Sequence, residues 1–307
     1  MRSLVIATFC ALATRASAAC TRETLKAVTD AHLAAQTAGQ TSFAANVTYT
    51  ENRKKVDIKS SILAKALKVD HSRAQHDVPQ CAVFTEFIVT NSAGPYVIAT
   101  QLRVSNTTNT VSQIDSIVTT KGDWLFNVTG TYHWASQEKW DPIPADKRDT
   151  RATIQAAGDA YCDLFADKSV KVPWGTPCAR LEGGAYTGKG QASDSCNVGV
   201  PSGVQLVNRQ YVIDEDYGTV DIIMDFGGTK GSVGAKGLPD SHDFRVEGGK
   251  LSCTVSFPSH GVHTFRAPDQ GIRDRIGLSI TNSFMPCPTN MKFPQTAISN
   301  RTETRAV

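Results

Sequence analysis

Ser241-His242-Asp243-Phe244-Arg245-Val246-Glu247-Gly248-Gly249 is the stretch on which the reading of the fold turns. His242, Phe244 and Val246 alternate with Asp243, Arg245 and Glu247, the pattern of a strand with one face toward a core. Gly248-Gly249 closes a hairpin, and Leu251–Phe257 returns from it. Upstream, Gln210–Asp214 and Thr219–Phe226 read as two further strands, preceded by the glycine-rich loop Leu181-Glu182-Gly183-Gly184. Before these lies a helical period: Ile154, Ala157, Tyr161, Leu164 and Phe165 share one face of a helix capped by Asp149 or Thr150 and running to about Asp167. Gly158 inside it costs stability unless something packs closely there.

The same order occurs earlier in the chain. Leu25, Val28, Ala31 and Ala35 mark a helix from Thr21 to about Gln36, ended by Gly39. An extended piece, Asn46–Thr50, and a weaker helix around Ile58–Leu67 follow. Three alternating runs then predict strands at Cys81–Thr90, Tyr96–Ser105 and Val111–Thr119, joined by the turns Asn91–Pro95 and Asn106–Asn109. Trp124–Phe126 either continues the sheet or leads out of it. Asp141-Pro142-Ile143-Pro144 is a proline-marked linker. The pattern is α+β, built twice, with domains at residues 20–140 and 141–266. Residues 267–307 form an irregular tail, broken by Pro268, Pro286, Pro288 and Pro294, that packs through Phe284, Met285 and Phe293 and frays beyond Ser299.

Composition agrees with two cores. The chain has 307 residues, 40% hydrophobic and 20% charged, with a net charge of +3, enough for two domains at roughly 100–200 residues each. Disorder, collagen and coiled coil are excluded. Without a basic cluster, nucleic acid has little electrostatic reason to bind. Residues 1–19 read as a secretory signal peptide: Arg2, the apolar run Leu4–Leu12 and the small-residue site Ala16-Ser17-Ala18. That run is too short to span a bilayer, which takes about 20 residues, and no membrane anchor is expected. Without Arg2 and Arg15 the net charge becomes +1, from 30 basic and 29 acidic residues. Four sequons, at Asn46, Asn106, Asn127 and Asn300, point the same way. After signal removal seven cysteines remain, so at most three disulfides form. Cys178–Cys196, bracketing the glycine-rich loop, is the first expected pair and Cys20–Cys81 the second. No C-x-x-C occurs, so no metal site is expected.

Several segments carry a closer likeness. They are Tyr49-Thr50-Glu51-Asn52, Cys178-Ala179-Arg180-Leu181-Glu182-Gly183-Gly184, Tyr211-Val212-Ile213-Asp214-Glu215 and Pro239–Lys250. With the duplicated α+β order, the chain resembles the nuclear-transport-factor-2-like superfamily, which includes ketosteroid isomerase, scytalone dehydratase and SnoaL-type polyketide cyclases. More narrowly, residues 20–266 resemble a group of secreted, mostly fungal proteins with two such domains and no assigned activity. The resemblance implies cone-shaped domains, each a curved antiparallel sheet wrapped on its N-terminal helix around a pocket. In the enzymes an Asp, Glu, His or Tyr moves a proton there without a cofactor. None of their catalytic motifs falls on this sequence, so the resemblance implies architecture and not residues.

Strand alternation supplies the candidates. His242, on the apolar face, is a general base titrating near neutrality, or else a hydrogen-bonded core histidine. Asp240 would orient its ring or simply turn the chain. Glu182, held between a leucine and two glycines within the expected Cys178–Cys196 bracket, either meets a ligand with Tyr186 or forms a salt bridge with Arg180 or another arginine. Glu86 shares a face with Phe84 and Ile88. That face is either a pocket wall, which would raise the carboxyl pKa, or solvent-exposed, with Val83, Thr85, Phe87 and Val89 forming the core. Tyr49 and Glu51 are lesser candidates for the first pocket. His260 and His263 read as surface histidines, Gly227–Gly237 as a hairpin loop and Arg53-Lys54-Lys55 as a solvated turn.

Two functions follow. One is a cofactor-independent lyase, isomerase or dehydratase acting on a small organic molecule, with His242 as base and Glu182, Tyr186 and Asp240 as polar partners. The other is a non-catalytic extracellular ligand-binding or interaction protein. A homodimer through the sheet faces, or pairing of the two domains sheet to sheet, completes the set of expectations.

Overall fold

The computed structural model describes residues 20–44 and 47–256; residues 1–19, Ala45, Asn46, Phe257 and everything after it lie outside the described residues. Helix α1 (Arg22–Ala38) starts at Thr21, whose hydroxyl accepts from the Thr24 N–H, and stops at Gly39 in the left-handed region at φ 64°. A Cβ on Gly39 would lie 2.6 Å from the Ala66 nitrogen, so both conformation and contact demand glycine. In place of the weak helix predicted over Ile58–Leu67 stand two 3-10 turns, Ile58–Ser60 and Ile62–Ala64. There the Ser61 hydroxyl donates to the Ile58 carbonyl (2.7 Å), competing with helix continuation.

Strands β1 (Thr48–Glu51), β2 (Lys54–Lys55), β3 (His71–Asp77), β4 (Ala82–Val89), β5 (Tyr96–Val104) and β6 (Val111–Thr120) form one sheet, in the order β2-β1-β6-β5-β4-β3. A short helix α2 (Val128–Ala135) leads to the linker, and α3 (Arg151–Leu164) opens the second half with Thr150 as its cap. Strands β7 (Trp174–Glu182), β8 (Ala185–Tyr186), β9 (Leu206–Asp214), β10 (Thr219–Phe226), β11 (Leu238–Glu247) and β12 (Lys250–Ser256) form the second sheet, in the order β8-β7-β12-β11-β10-β9. The two six-stranded sheets therefore have one topology. Both are mixed rather than antiparallel, because β1 runs parallel to β6 and β7 parallel to β12. A register shift recurs at matching places, after Arg103 in β5 and after Arg245 in β11.

Each sheet buries one face on its helix. Leu25 and Val28 of α1 pack with Val83, Leu102 and Ile114; Ile154, Ala157 and Tyr161 of α3 pack with Val220, Ile222 and Phe244. A Cβ on Gly158 would stand 3.0 Å from Ile222 Cδ1 and 3.2 Å from Val220 Cγ1, and this close approach offsets the helical cost of the glycine. The opposite faces of the sheets meet each other. Ala82, Phe84, Ile88, Ala99 and Ile117 of the first share one cluster with Leu181, Val212 and Ile223 of the second. All eight residues of β4 are buried as a result. Glu86 thus lies neither on a pocket wall nor in solvent but in the layer between the sheets, where it pairs with Arg73 (3.1 Å), which also meets Glu138 (2.8 Å). A homodimer through the sheet faces would need surfaces that are covered here within one chain.

Charge fixes how the sheets meet. Arg22, the first residue of α1, grips Asp214 at the end of β9 with two hydrogen bonds (2.6 and 2.9 Å). Arg151, the first residue of α3, grips Asp77 at the end of β3 in the same way (2.6 and 2.7 Å). Each carboxylate also accepts a main-chain N–H from the opposite edge strand, Asp214 from His76 (2.8 Å) and Asp77 from Ile213 (2.9 Å). The contacts are reciprocal, as across a twofold axis. Arg53, expected in a solvated turn, instead reaches the second sheet and donates to the buried Asp225 (2.9 Å); Lys54 and Lys55 are exposed.

Deeper in the layer, Asp221 and Asp243 face each other across β10 and β11. Asp221 accepts from Gln101 (2.6 Å) and Ser241 (2.5 Å), and Asp243 from Gln75 (2.5 Å). Burial raises the pKa of Asp221 to about 7 and that of Asp243 well above the usual carboxylate range.

Two outcomes are expected. Asp77→Ala or Asp214→Ala strands an arginine and loses main-chain bonds, costing roughly 2–4 kcal/mol in denaturant unfolding, at or somewhat below the range for breaking a buried pair because the arginines are partly exposed. A carboxyl with a raised folded pKa stabilises while protonated, a contribution that declines as pH rises from its ordinary value, 3.8, toward 7. Asp221→Asn should therefore melt like the native chain near pH 4 and increasingly above it toward pH 8; parallel curves across that range would refute the assignment.

Candidate functional site

In the second domain the inner face of the sheet carries polar groups among apolar ones. On β11, Asp240 and His242 project with Phe244 toward α3. The Nε2 of His242 lies 3.0 Å from Asp240 Oδ2, with both side chains almost fully buried. Burial opposes the charged imidazole, but the adjacent Asp240 carboxylate and the Cys162 sulfur outweigh it and raise the pKa to about 10. His242 is accordingly an imidazolium at neutral pH, a proton donor and positive charge rather than a base titrating near neutrality. Asp240 does orient the ring.

Tyr161 links this pair to β7. Its ring packs against His242 (5.5 Å between centroids) and Trp174 (5.8 Å). Its hydroxyl accepts from Arg180 Nη1 (3.3 Å), which in turn lies 3.4 Å from Glu182 Oε1. Burial raises the Tyr161 pKa, and the nearby Glu182 adds to it. Burial works against the Arg180 charge, but Tyr161 and Glu182 outweigh it, keeping the guanidinium charged. The salt bridge expected as the bland explanation of Glu182 is thus present, and it sits beside the imidazolium. Tyr186 does not join. It pairs across strands with Leu181, on the face toward the first sheet, and stacks on Trp134 (4.2 Å).

Three buried atoms of this cluster have no hydrogen-bond partner: Asp240 Oδ1, His242 Nδ1 and Arg180 Nε. Adjacent to the cluster is a cleft of about 380 Å³ between the end of α3, the start of β7 and the loop at Asn197–Val200. That volume is within the range of small-ligand pockets, about 300–1,000 Å³. Trp174 and Gly199 line it and also touch the cluster, Trp174 through Tyr161 and Gly199 beside Arg180. The disulfide Cys178–Cys196 ties β7 to that loop, and Cys20–Cys81 ties the start of α1 to β4; both pairs are as expected. Cys162 is a buried free thiol, 4.0 Å from the Met224 sulfur.

The first domain lacks this arrangement. Counted from the caps Thr21 and Thr150, His32 takes the place of Tyr161; counted from the bulges, Thr100 takes the place of His242 and Ile98 that of Asp240. Its polar groups satisfy one another, His32 with Thr85 (3.2 Å) and Thr100 with Ser116 (3.0 Å). Burial lowers the His32 pKa to about 3. Tyr49 and Glu51 are structural: the Tyr49 hydroxyl donates to Glu51 (3.1 Å), which accepts the Ile62 N–H (2.8 Å).

Of the remaining candidates, Asn106 and Asn127 are exposed, Asn127 as the cap of α2, while Asn46 and Asn300 lie outside the described residues. So do His260 and His263. Gly227–Gly237 connects β10 to β11 and is anchored where Gly234 N–H donates to Asp225 (2.9 Å). Among the described residues no group of three or more His, Cys, Asp or Glu is placed to hold a metal ion, and no helix is long and apolar enough to cross a membrane. Sequence reasoning missed Tyr161 as a site residue because it read as part of the apolar helix face, and gave Trp174 no role; the phenol within an otherwise apolar helix face was the available signal.

The charged state of His242 is directly checkable. Its ring protons should show no titration between pH 5.5 and 8.5 by NMR, and Asp240→Asn should bring the midpoint back toward 6.5 or below. A native midpoint near neutrality would contradict the ion pair.

Residues 147–256, which span α3 and the second sheet, match the family described as Domain of unknown function (DUF8021). No curated protein and no solved structure matches the chain.

Proposed function

We propose that this is a secreted tandem of two cone-shaped domains of the nuclear-transport-factor-2-like kind, and that the second binds a small organic molecule. Two disulfides and the leader-like residues 1–19 support export to an oxidising compartment. The helix held on one face of each sheet, and the register shifts that recur in β5 and β11, support the cone.

The observation that carries the ligand reading is the trio of unpartnered buried atoms at Asp240, His242 and Arg180, beside a cleft. A buried polar atom without a partner costs about 1–3 kcal/mol, and a ligand or its bridging water would supply the missing bond. The matching wall of the first domain needs no such partner, so the second domain is the one that works. In turnover, His242 would protonate or polarise an oxygen of the substrate, Tyr161 would hold that oxygen, and Glu182 would take the proton. This is the chemistry of a cofactor-free lyase, isomerase or dehydratase. The near-complete burial of His242 and Tyr161 favours a second reading, a ligand-binding protein without turnover.

Native mass spectrometry of the secreted chain tests the proposal. A retained small molecule, lost from the paired variant Asp240→Asn/His242→Gln at unchanged fold, is the expected result. An empty native chain that also fails to gain thermal stability from any compound in a metabolite library would refute it. With a substrate in hand, His242→Gln should reduce kcat by at least about 100-fold if the imidazolium is the acid; retained binding with no native turnover assigns the second reading.

A further inference from the structure

Chemical class of the ligand can be read from the cleft, on the assumption that the second domain binds a small molecule there. We infer that the cleft selects a small organic acid, with its carboxylate at the lysine–arginine end and its apolar body against Trp174. The residues lining the cleft include Lys168 and Lys171 and no acidic side chain. Lys168 is fixed at the rim, its ammonium donating to the Val200 carbonyl (2.8 Å) and the Pro201 carbonyl (2.5 Å), with one of its three donors left over. Lys171 is exposed.

Behind the cleft floor stands a third cation. Gly199 lines the cleft at φ 62°, and a Cβ there would meet only Arg180 Nη2, at 3.8 Å. Bare backbone is therefore all that separates the cleft from the guanidinium at that point. Arg180 donates through Nη2 to the Val198 carbonyl and through Nη1 to Tyr161, while Glu182 lies on its Nη1 side. Its Nε is buried without a partner, and the side chain as a whole is 5% exposed. A guanidinium so placed, shielded from water and only partly neutralised, favours an anion in the adjoining space. Apart from Asn197, the remaining side chains of the wall are apolar, among them Val172 and the half-buried Trp174, whose ring is braced edge-on by Tyr161. A neutral polar ligand would leave the cations unused, and a large polyanion would not fit in about 380 Å³. A monocarboxylate with a flat or short aliphatic body satisfies both ends.

The test titrates the full secreted chain with benzoate, phenylacetate and 3-phenylpropanoate, each beside its primary amide, by calorimetry or ligand-observed NMR. At least one acid should bind at least tenfold more tightly than its amide. Lys171→Glu, an exposed change that leaves the fold intact, should weaken the acid at least tenfold and the amide hardly at all. Raising NaCl from 50 to 500 mM should act like the lysine change. Equal binding of acid and amide, weakened alike by Trp174→Leu, would overturn the acid preference while leaving the cleft as a ligand site. Absence of binding by all six compounds also overturns it, and together with an empty chain in native mass spectrometry removes the ligand reading as well.

Discussion

Two arginines at helix starts, each clamped on a carboxylate at the far edge of the other sheet, set how the halves of this protein sit. Asp77 and Asp214 are fully buried, a state that a carboxylate tolerates only when paired and hydrogen-bonded. Each finds its arginine and a main-chain N–H in the other half. A shift of the sheets would strand both at once. The mutual orientation of the sheets is thereby fixed, and the apolar layer at Phe84, Ile88, Val212 and Ile223 fills in around it. Apolar contact alone is non-directional and would not select one registration.

The clamp also explains why the two halves differ. Once the outer faces are spent on each other, only the inner faces remain for chemistry. In the first half that face is closed by the 3-10 turns, by Phe43 stacked on His32 and by polar pairs that satisfy one another. In the second half the same positions carry an acid–imidazolium pair, a phenol and an arginine with atoms to spare. One topology thus supports a filled core and a charged one, and the difference lies in a few inward side chains.

Elements whose pattern comes from apolar burial were legible. The helices at Thr21 and Thr150, the stop at Gly39 and most of the strands follow from periodicity and capping, while the two disulfides are the pairs expected among several that seven cysteines allow. Strand β3 was not, since His71-Ser72-Arg73-Ala74-Gln75-His76-Asp77 is almost wholly polar, and its buried end is held by partners from the other half, Asp77 by Arg151 and Gln75 by Asp243. Strand β7 was hidden by Gly175 and Pro177, and α2 by Gly130 and its short length. The alternation test failed at Glu86 because both faces of β4 are buried, so neither face is marked by polarity. It succeeded at His242, where the inward face is apolar apart from the ion pair.

The sequence by itself determined the duplicated α+β order, the helix ends and the inward direction of His242, because these depend on local dihedral preferences and on a period of two or of three to four residues. Only the tertiary structure decided what each buried charge faces: that His242 meets Asp240 and stays charged, that Tyr186 turns away, and that Glu86 and Arg53 serve the contact between sheets. Electrostatic free energy depends on distances between residues remote in the chain and on the water excluded around them, and neither is written in the local order of side chains.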